Sequence, residues 1–225
     1  MNITYSFNYQ KMMENIYKDA RWEAYYDMVI IPLFSKCCEE KGIKIVPVHA
    51  TRKSGRKPLV EKKHFIETYS CVKNVPNKKG EIEGKRVGIP DFVIVPSESE
   101  YEKPQKALVY IEFKLPEGLT REYVEIKPQK HKVELLHQFE LCKNIIFTDG
   151  VTWYFLENEE DIEKAEPIRL YDSKNKCWKD NGEEYSDTEI ELLKRIEGIL
   201  DRVLLEKNSV NHKTSSLHIS SKGTY

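Results

Sequence analysis

Between Val87 and Leu115 the chain sets charged residues into segments that are otherwise too apolar to be surface. Gly88-Ile89-Pro90-Asp91 leads into the run Phe92-Val93-Ile94-Val95. After a polar interruption comes Ala107-Leu108-Val109-Tyr110-Ile111-Glu112-Phe113-Lys114. A carboxylate or an ammonium group in a protein interior is costly unless it is paired or bound to a metal, so Asp91, Glu112 and Lys114 stand out as groups placed there for use. The acid-x-Lys spacing alone selects nothing, because it also occurs at Glu39–Lys41, Glu61–Lys63, Glu83–Lys85, Glu125–Lys127 and Asp172–Lys174. Context selects Glu112–Lys114. It lies in an alternating apolar segment and follows a Pro-Asp that opens another such segment.

The elements that must position these groups follow from periodicity. Residues 9–41 read as helical, with Tyr26, Ile30, Leu33 and Cys37 on one face. Pro32 is expected to kink or split this helix, and Glu23, seven residues before Ile30, shares its core-facing stripe. Gly42 is placed as a C-cap glycine. Strands are predicted at 43–48, 64–72 and 89–95, with polar loops at 51–63 and 74–84. In the strand at 108–115, Val109, Ile111, Phe113 and Leu115 fall on one face, beneath helices. Leu108, Tyr110, Glu112 and Lys114 fall on the other, toward the site. Residues 116–132 read as irregular. A helix at 133–143 buries Leu135, Phe139 and Cys142 and carries Gln138 among them. Strands 144–148 and 152–156 are joined by a tight Asp149-Gly150 turn, and an edge strand is predicted at 168–171. A helix at 186–206 starts at Ser186 with Glu189 in capping-box spacing and buries Ile190, Leu193, Ile196 and Leu200. Residues 208–225 are polar and Ser-rich and read as a disordered tail.

Pro90-Asp91, Glu112-Phe113-Lys114 and a following helix with Gln138 resemble the PD-(D/E)XK, or restriction-endonuclease-like, nuclease superfamily. The segment from Gln138 to Phe155, with Thr148-Asp149-Gly150-Val151-Thr152-Trp153, is similar to the nuclease domain of type I restriction enzyme motor subunits and related restriction-like proteins. That subgroup often has tyrosine four residues after the glutamine, where this chain has Cys142. The resemblance covers roughly residues 20–156. It implies an α/β fold, a central mixed β-sheet flanked by helices in the order αβββαβ, here with an added C-terminal helix. It also implies a Mg2+-dependent nuclease acting on DNA, with Mn2+ able to substitute. Asp91 and Glu112 then become metal ligands, joined by the Phe113 carbonyl and by Glu23 on the first helix. Lys114 orients or activates the attacking water, and Gln138 positions Lys114 or a phosphate. The roles suit the residues, since magnesium takes hard oxygen ligands and retains waters.

Composition narrows the partners. The 225 residues are 32 % charged and 40 % hydrophobic, with a net charge of −1. They fit one nuclease domain over 1–207, and a general polyanion binder is excluded. The basic charge is nevertheless clustered. Arg52, Lys53, Arg56 and Lys57 fall in one loop, the stretch 73–86 is also basic, and Lys127 and Lys130 precede the Gln138 helix, all candidates for contacts with a phosphate backbone. His131 and His137 read as surface histidines that the chemistry does not need. Five scattered cysteines form neither a disulfide framework nor a zinc ribbon. No apolar run approaches a membrane span, no secretion signal is apparent and no Walker-type phosphate loop is present. The expectation is a cytoplasmic enzyme without an ATP site, acting as a homodimer if both DNA strands are cut. Two other readings stay open: a non-catalytic nucleic-acid-binding or assembly module that kept the fold, and an RNase or branched-DNA resolvase using the same site.

Overall fold

The computed structural model describes residues 13, 27–48, 66–76, 80–100, 102–114, 123–172, 177–178 and 187–219. Its elements are α1 (Asp27–Cys38), β1 (Ile43–Pro47), β2 (Cys71–Pro76), β3 (Ile82–Val87), β4 (Phe92–Pro96), β5 (Val109–Phe113), a 3-10 turn at Pro128–His131, α2 (Lys132–Phe139), β6 (Ile145–Thr148), β7 (Thr152–Leu156), α3 (Asp161–Lys164), β8 (Ile168–Arg169), β9 (Tyr171–Asp172), β10 (Cys177–Trp178) and α4 (Asp187–Ile219).

Six strands form the central sheet in the order β1-β4-β5-β6-β7-β8. Every neighbouring pair is antiparallel except β5 and β6. A parallel pair needs a crossover, and the 3-10 turn and α2 lie in that crossover. β4 to β7 are buried at every position, as expected of strands covered on both faces. One face packs against α1 and α4 through Ile30, Phe34, Ile111, Phe113, Trp153, Ile196 and Leu200. The other packs against α2 and α3 through Tyr110, Leu135, Phe147, Tyr154 and Ile162. This is a mixed six-stranded sheet flanked by helices, and it is compatible with a restriction-endonuclease-like core.

The alternation of β5 is as the sequence predicts: Val109, Ile111 and Phe113 join the first face, while Tyr110 joins the second with Glu112 beside it. Several boundaries differ. α1 runs through Pro32 without a break. Residues 66–68 are helical, so the strand expected at 64–72 begins only at Cys71. It pairs with β3 as a separate two-stranded ribbon, so 74–76 and 82–84 belong to strands and not to the loop expected at 74–84. The β6–β7 connection, Asp149 to Val151, falls between strand ends at Thr148 and Thr152, as expected. Ile190 is 36 % exposed; the buried stripe of α4 is Leu192, Leu193, Ile196, Ile199, Leu200 and Val203, together with Glu189. α4 continues to Ile219, past the end expected near Glu206, so 208–219 is helical and not the disordered tail expected from its polar composition. Ser186, the expected N-cap, lies outside the described residues, and no described helix is long and apolar enough to cross a membrane.

Candidate active site

The site begins with a backbone contact. Gly88 has φ +64, and a Cβ built on it would lie 2.8 Å from His137 Cβ and 3.1 Å from the Gln138 nitrogen. Only glycine reconciles this left-handed turn with so close an approach to a helix, and the contact seats the Gly88–Asp91 segment directly on α2. The Asp91 N–H donates to the Ile111 carbonyl at 3.1 Å, and its own carbonyl accepts from the Val48 N–H at 2.8 Å. Its Oδ2 accepts the Phe113 N–H at 2.7 Å. The Asp91 side chain is thus pinned to the β5 backbone between Glu112 and Lys114.

Glu112 is 2 % exposed. Its Oε1 accepts from Lys114 Nζ and its Oε2 accepts from Gln138 Nε2 at 2.6 Å. Lys114 Nζ also donates to Glu134 Oε2 at 2.8 Å, so the ammonium is held between a strand carboxylate and a helix carboxylate. Gln138 is fully buried, and its Oε1 has no hydrogen-bond partner among the described residues. Buried amide oxygens are rarely left so.

The electrostatics follow from burial and crowding. Burial, then Asp91, push the Glu112 carboxyl well above the usual carboxylate range, with Glu134 adding to the effect and Lys114 opposing it. For Lys114, burial works to discharge the amine, but Glu112 and Glu134 together outweigh it and hold the group above the ordinary lysine value. Glu112 and Glu134 share one ammonium while Asp91 adds its charge beside Glu112, an arrangement that a divalent cation would relieve. Asp91 and Glu112 offer only oxygen donors, which selects a hard ion. Among the described residues no group of three or more His, Cys, Asp or Glu forms a metal cage. Two carboxylates and waters nonetheless suffice for magnesium at a phosphate site, and the unpartnered Gln138 oxygen leaves a place for one further polar contact.

Asp91, Glu112, Lys114 and Gln138 therefore come together. Phe113 contributes its N–H to Asp91; its carbonyl as a ligand remains a proposal. Glu23, Arg52, Lys53, Arg56 and Lys57 lie outside the described residues. Lys127 and Lys130 are exposed. His131 and His137 are half-buried, and His131 Nδ1 is 3.9 Å from Glu134 Oε2. Glu134 is a member of the cluster that the motif does not name. It lies four residues before Gln138, on the same helical face, as an acidic first-turn residue that nothing in the sequence singles out.

The Thr148–Trp153 motif supports the sheet instead of reacting. Asp149 is fully buried. Its Oδ1 accepts the Val151 and Thr152 N–H groups at 2.9 and 2.7 Å, and Tyr123 Oη donates to its Oδ2 at 2.8 Å. Gly150 takes φ +84, and its carbonyl accepts Trp153 Nε1–H at 3.2 Å. These bonds close the turn beside the Phe113–Thr148 end of the parallel pair.

Next to Glu134 an open trough of about 590 Å3 runs between β3 and the segment 129–137. Lys85, Arg86, Lys130, His131, Lys132 and His137 contribute to its walls.

No family model matches the chain, and no curated protein matches its sequence. Among solved structures, the cryo-EM structure of a DrdV–DNA complex is similar over 84 % of this chain, at 16 % identity and a TM-score of 0.43, and the match spans 13 % of the DrdV chain.

Proposed function

We propose that this chain is a metal-dependent nuclease that hydrolyses phosphodiester bonds of DNA, with Mg2+ as its natural ion and Mn2+ as a substitute. The observation that carries this reading is a buried glutamate, Glu112, held between Lys114 and Gln138 while Asp91 is fixed to the same strand. As a mere structural ion pair the cluster would be a poor choice, because apolar side chains of similar size fill such a place at lower cost.

In this reading Asp91 and Glu112 hold the ion, with the Phe113 carbonyl and Glu23 as further ligands. When bound, magnesium supplies polarisation of the scissile phosphate and a more acidic water. Lys114 orients that water and offsets the charge that develops on the phosphate. Gln138 fixes the Glu112 carboxylate, and Glu134 fixes the Lys114 ammonium from the opposite side. A single site of this kind cuts one strand. Cleavage of both strands in one event would take two chains, which the ratio of nicked to linear plasmid reports.

The test is Mg2+-dependent cleavage of supercoiled plasmid, with linear, single-stranded and branched DNA and RNA alongside. Asp91→Ala and Lys114→Ala should each abolish cutting while the circular dichroism spectrum stays that of the wild type. Wild-type rates in both variants would refute the reading. Nucleic-acid binding without cleavage would favour the non-catalytic module, and a preference for RNA or junctions would reassign the substrate.

A further inference from the structure

We infer that the trough between β3 and the segment 129–137 seats the sugar-phosphate backbone of duplex DNA, with Lys85 and Lys130 each engaging a phosphate from opposite walls. This rests on the nuclease reading and deepens it, because it assigns the approach path of the substrate to residues outside the catalytic cluster.

Most charges of the trough are already neutralised. Arg86 pairs with Glu67 at 3.1 Å, Lys132 with Glu163 at 2.9 Å and Glu134 with Lys114 at 2.8 Å. Lys85 and Lys130 have no carboxylate partner among the described residues, although both line the trough. Two uncompensated cations facing one open groove complement a chain of phosphates better than a single compact anion.

The ribbon of β2 and β3 points the same way on independent grounds. Its register sets Lys73 directly opposite Lys85. Like charges opposite each other across two strands are destabilising. Lys73 is relieved by Glu140 at the end of α2, at 2.7 Å, whereas Lys85 has no such counterion among the described residues. Lys85 is thus the member of the pair left for an anion to neutralise.

The trough also leads to the cluster. Glu134 lines it and holds the Lys114 ammonium, so a backbone lying in the groove passes within one side chain of the catalytic lysine. A β-ribbon beside the groove matches the dimensions of a duplex major groove. Val72 and Ile82 of this ribbon are 57 % and 68 % exposed, and their positions fall on the face opposite Lys73 and Lys85.

The experiment is fluorescence anisotropy of a labelled duplex of about 30 base pairs, long enough to cover the site and its flanks, titrated with full-length protein in EDTA across a series of NaCl concentrations. Removing one cation that neutralises a phosphate should reduce the slope of log K against log salt by about 0.9. Lys85→Ala and Lys130→Ala are therefore each expected to lower the slope by that amount, and the double variant by about twice as much. A double variant with the wild-type slope would overturn the proposal, as would equal losses on duplex DNA and on inorganic polyphosphate, which would mean a general anion patch. Thermal unfolding of each variant separates weakened binding from a damaged fold. The two readings fail separately: cleavage with an unaltered slope in the double variant removes the trough and keeps the nuclease. Slopes reduced as expected in a protein that cuts nothing keep the trough and remove the nuclease.

Discussion

Gly88→Ala tests how the site is assembled without touching a charged residue. Two costs act at this position and the structure separates them. The first is the left-handed backbone, φ +64, which a Cβ makes unfavourable by about 1 kcal/mol. The second is the meeting of that Cβ with His137 Cβ at 2.8 Å and with backbone atoms of α2 at 3.1 Å. Restoring an ordinary contact of 3.4 Å takes a shift of about 0.6 Å between the Gly88 turn and the helix, and overpacking of this kind costs about 1–3 kcal/mol. The total is about 2–4 kcal/mol, a large part of the roughly 5–15 kcal/mol that holds a domain together. Gly42→Ala is the control. Gly42 has nearly the same φ, +65, but nothing lies within 4 Å of where its Cβ would stand, so it reports the backbone cost alone. In urea, at an m value of about 2 kcal/mol/M, Gly88→Ala should lower the midpoint by about 1–2 M and Gly42→Ala by about 0.5 M. Because the displaced helix carries Gln138 and Glu134, cleavage by the folded Gly88→Ala protein should fall by about tenfold or more, as misplacement on this scale does in other sites. Coincident midpoints for the two variants, or full activity in Gly88→Ala, would refute the view that this glycine sets the distance between the Asp91 turn and α2.

Metal binding, pH and the buried turn offer three further tests. Mg2+ at about one hundred times its dissociation constant should add roughly 2.7 kcal/mol to the unfolding free energy, and Glu112→Gln should remove that gain in thermal melts run with and without EDTA. Glu134→Gln removes one of the two carboxylates that hold Lys114 charged, so the alkaline limb of the pH profile of cleavage should move to lower pH; an unmoved limb would mean that Glu134 does not act on Lys114. Burial pushes the Asp149 carboxyl up from 3.8 to about 6. The folded state then binds the proton more tightly than the unfolded chain. The contribution is fully present below about pH 4 and is lost as pH rises through 6, about 3 kcal/mol in all. Urea unfolding at several pH values should show this loss, and Asp149→Asn should flatten it.

The parts of the site carried by strands are legible in the sequence because strand periodicity is short and rigid. Alternation places Glu112 and Lys114 opposite Ile111 and Phe113, and the sheet permits little else once one face is buried. Pro90-Asp91 is legible for the same reason, as the start of a buried strand. Glu134 is not, because an acidic residue in the first turn of a helix is ordinary, and its meaning arises only when the helix packs against the strand bearing Lys114. Residues 64–72 mislead through their β-branched and aromatic content, which favours a strand, whereas 66–68 are helical and the buried Tyr69 follows them. The C-terminal stretch misleads in the other direction, since Asn, Ser and His after 207 are weak helix formers, yet α4 carries on through them.

The single parallel pair in the central sheet has a consequence for how this protein could be taken apart. Since β5 and β6 run the same way, the chain must return over the sheet between them, and α2 lies on that return path. The strand groups and helix groups of the cluster are therefore consecutive in the chain: Asp91, then Glu112 and Lys114, then Glu134 and Gln138. A cut in the exposed stretch 158–160 leaves the whole constellation on one fragment, with β8 and α4 on the other. Two separately expressed pieces divided there should each be inert in isolation, because the smaller one supplies the edge strand β8 and the covering helix α4 but no group of the cluster. Mixing them should then restore a reaction whose chemical groups all came from the larger piece.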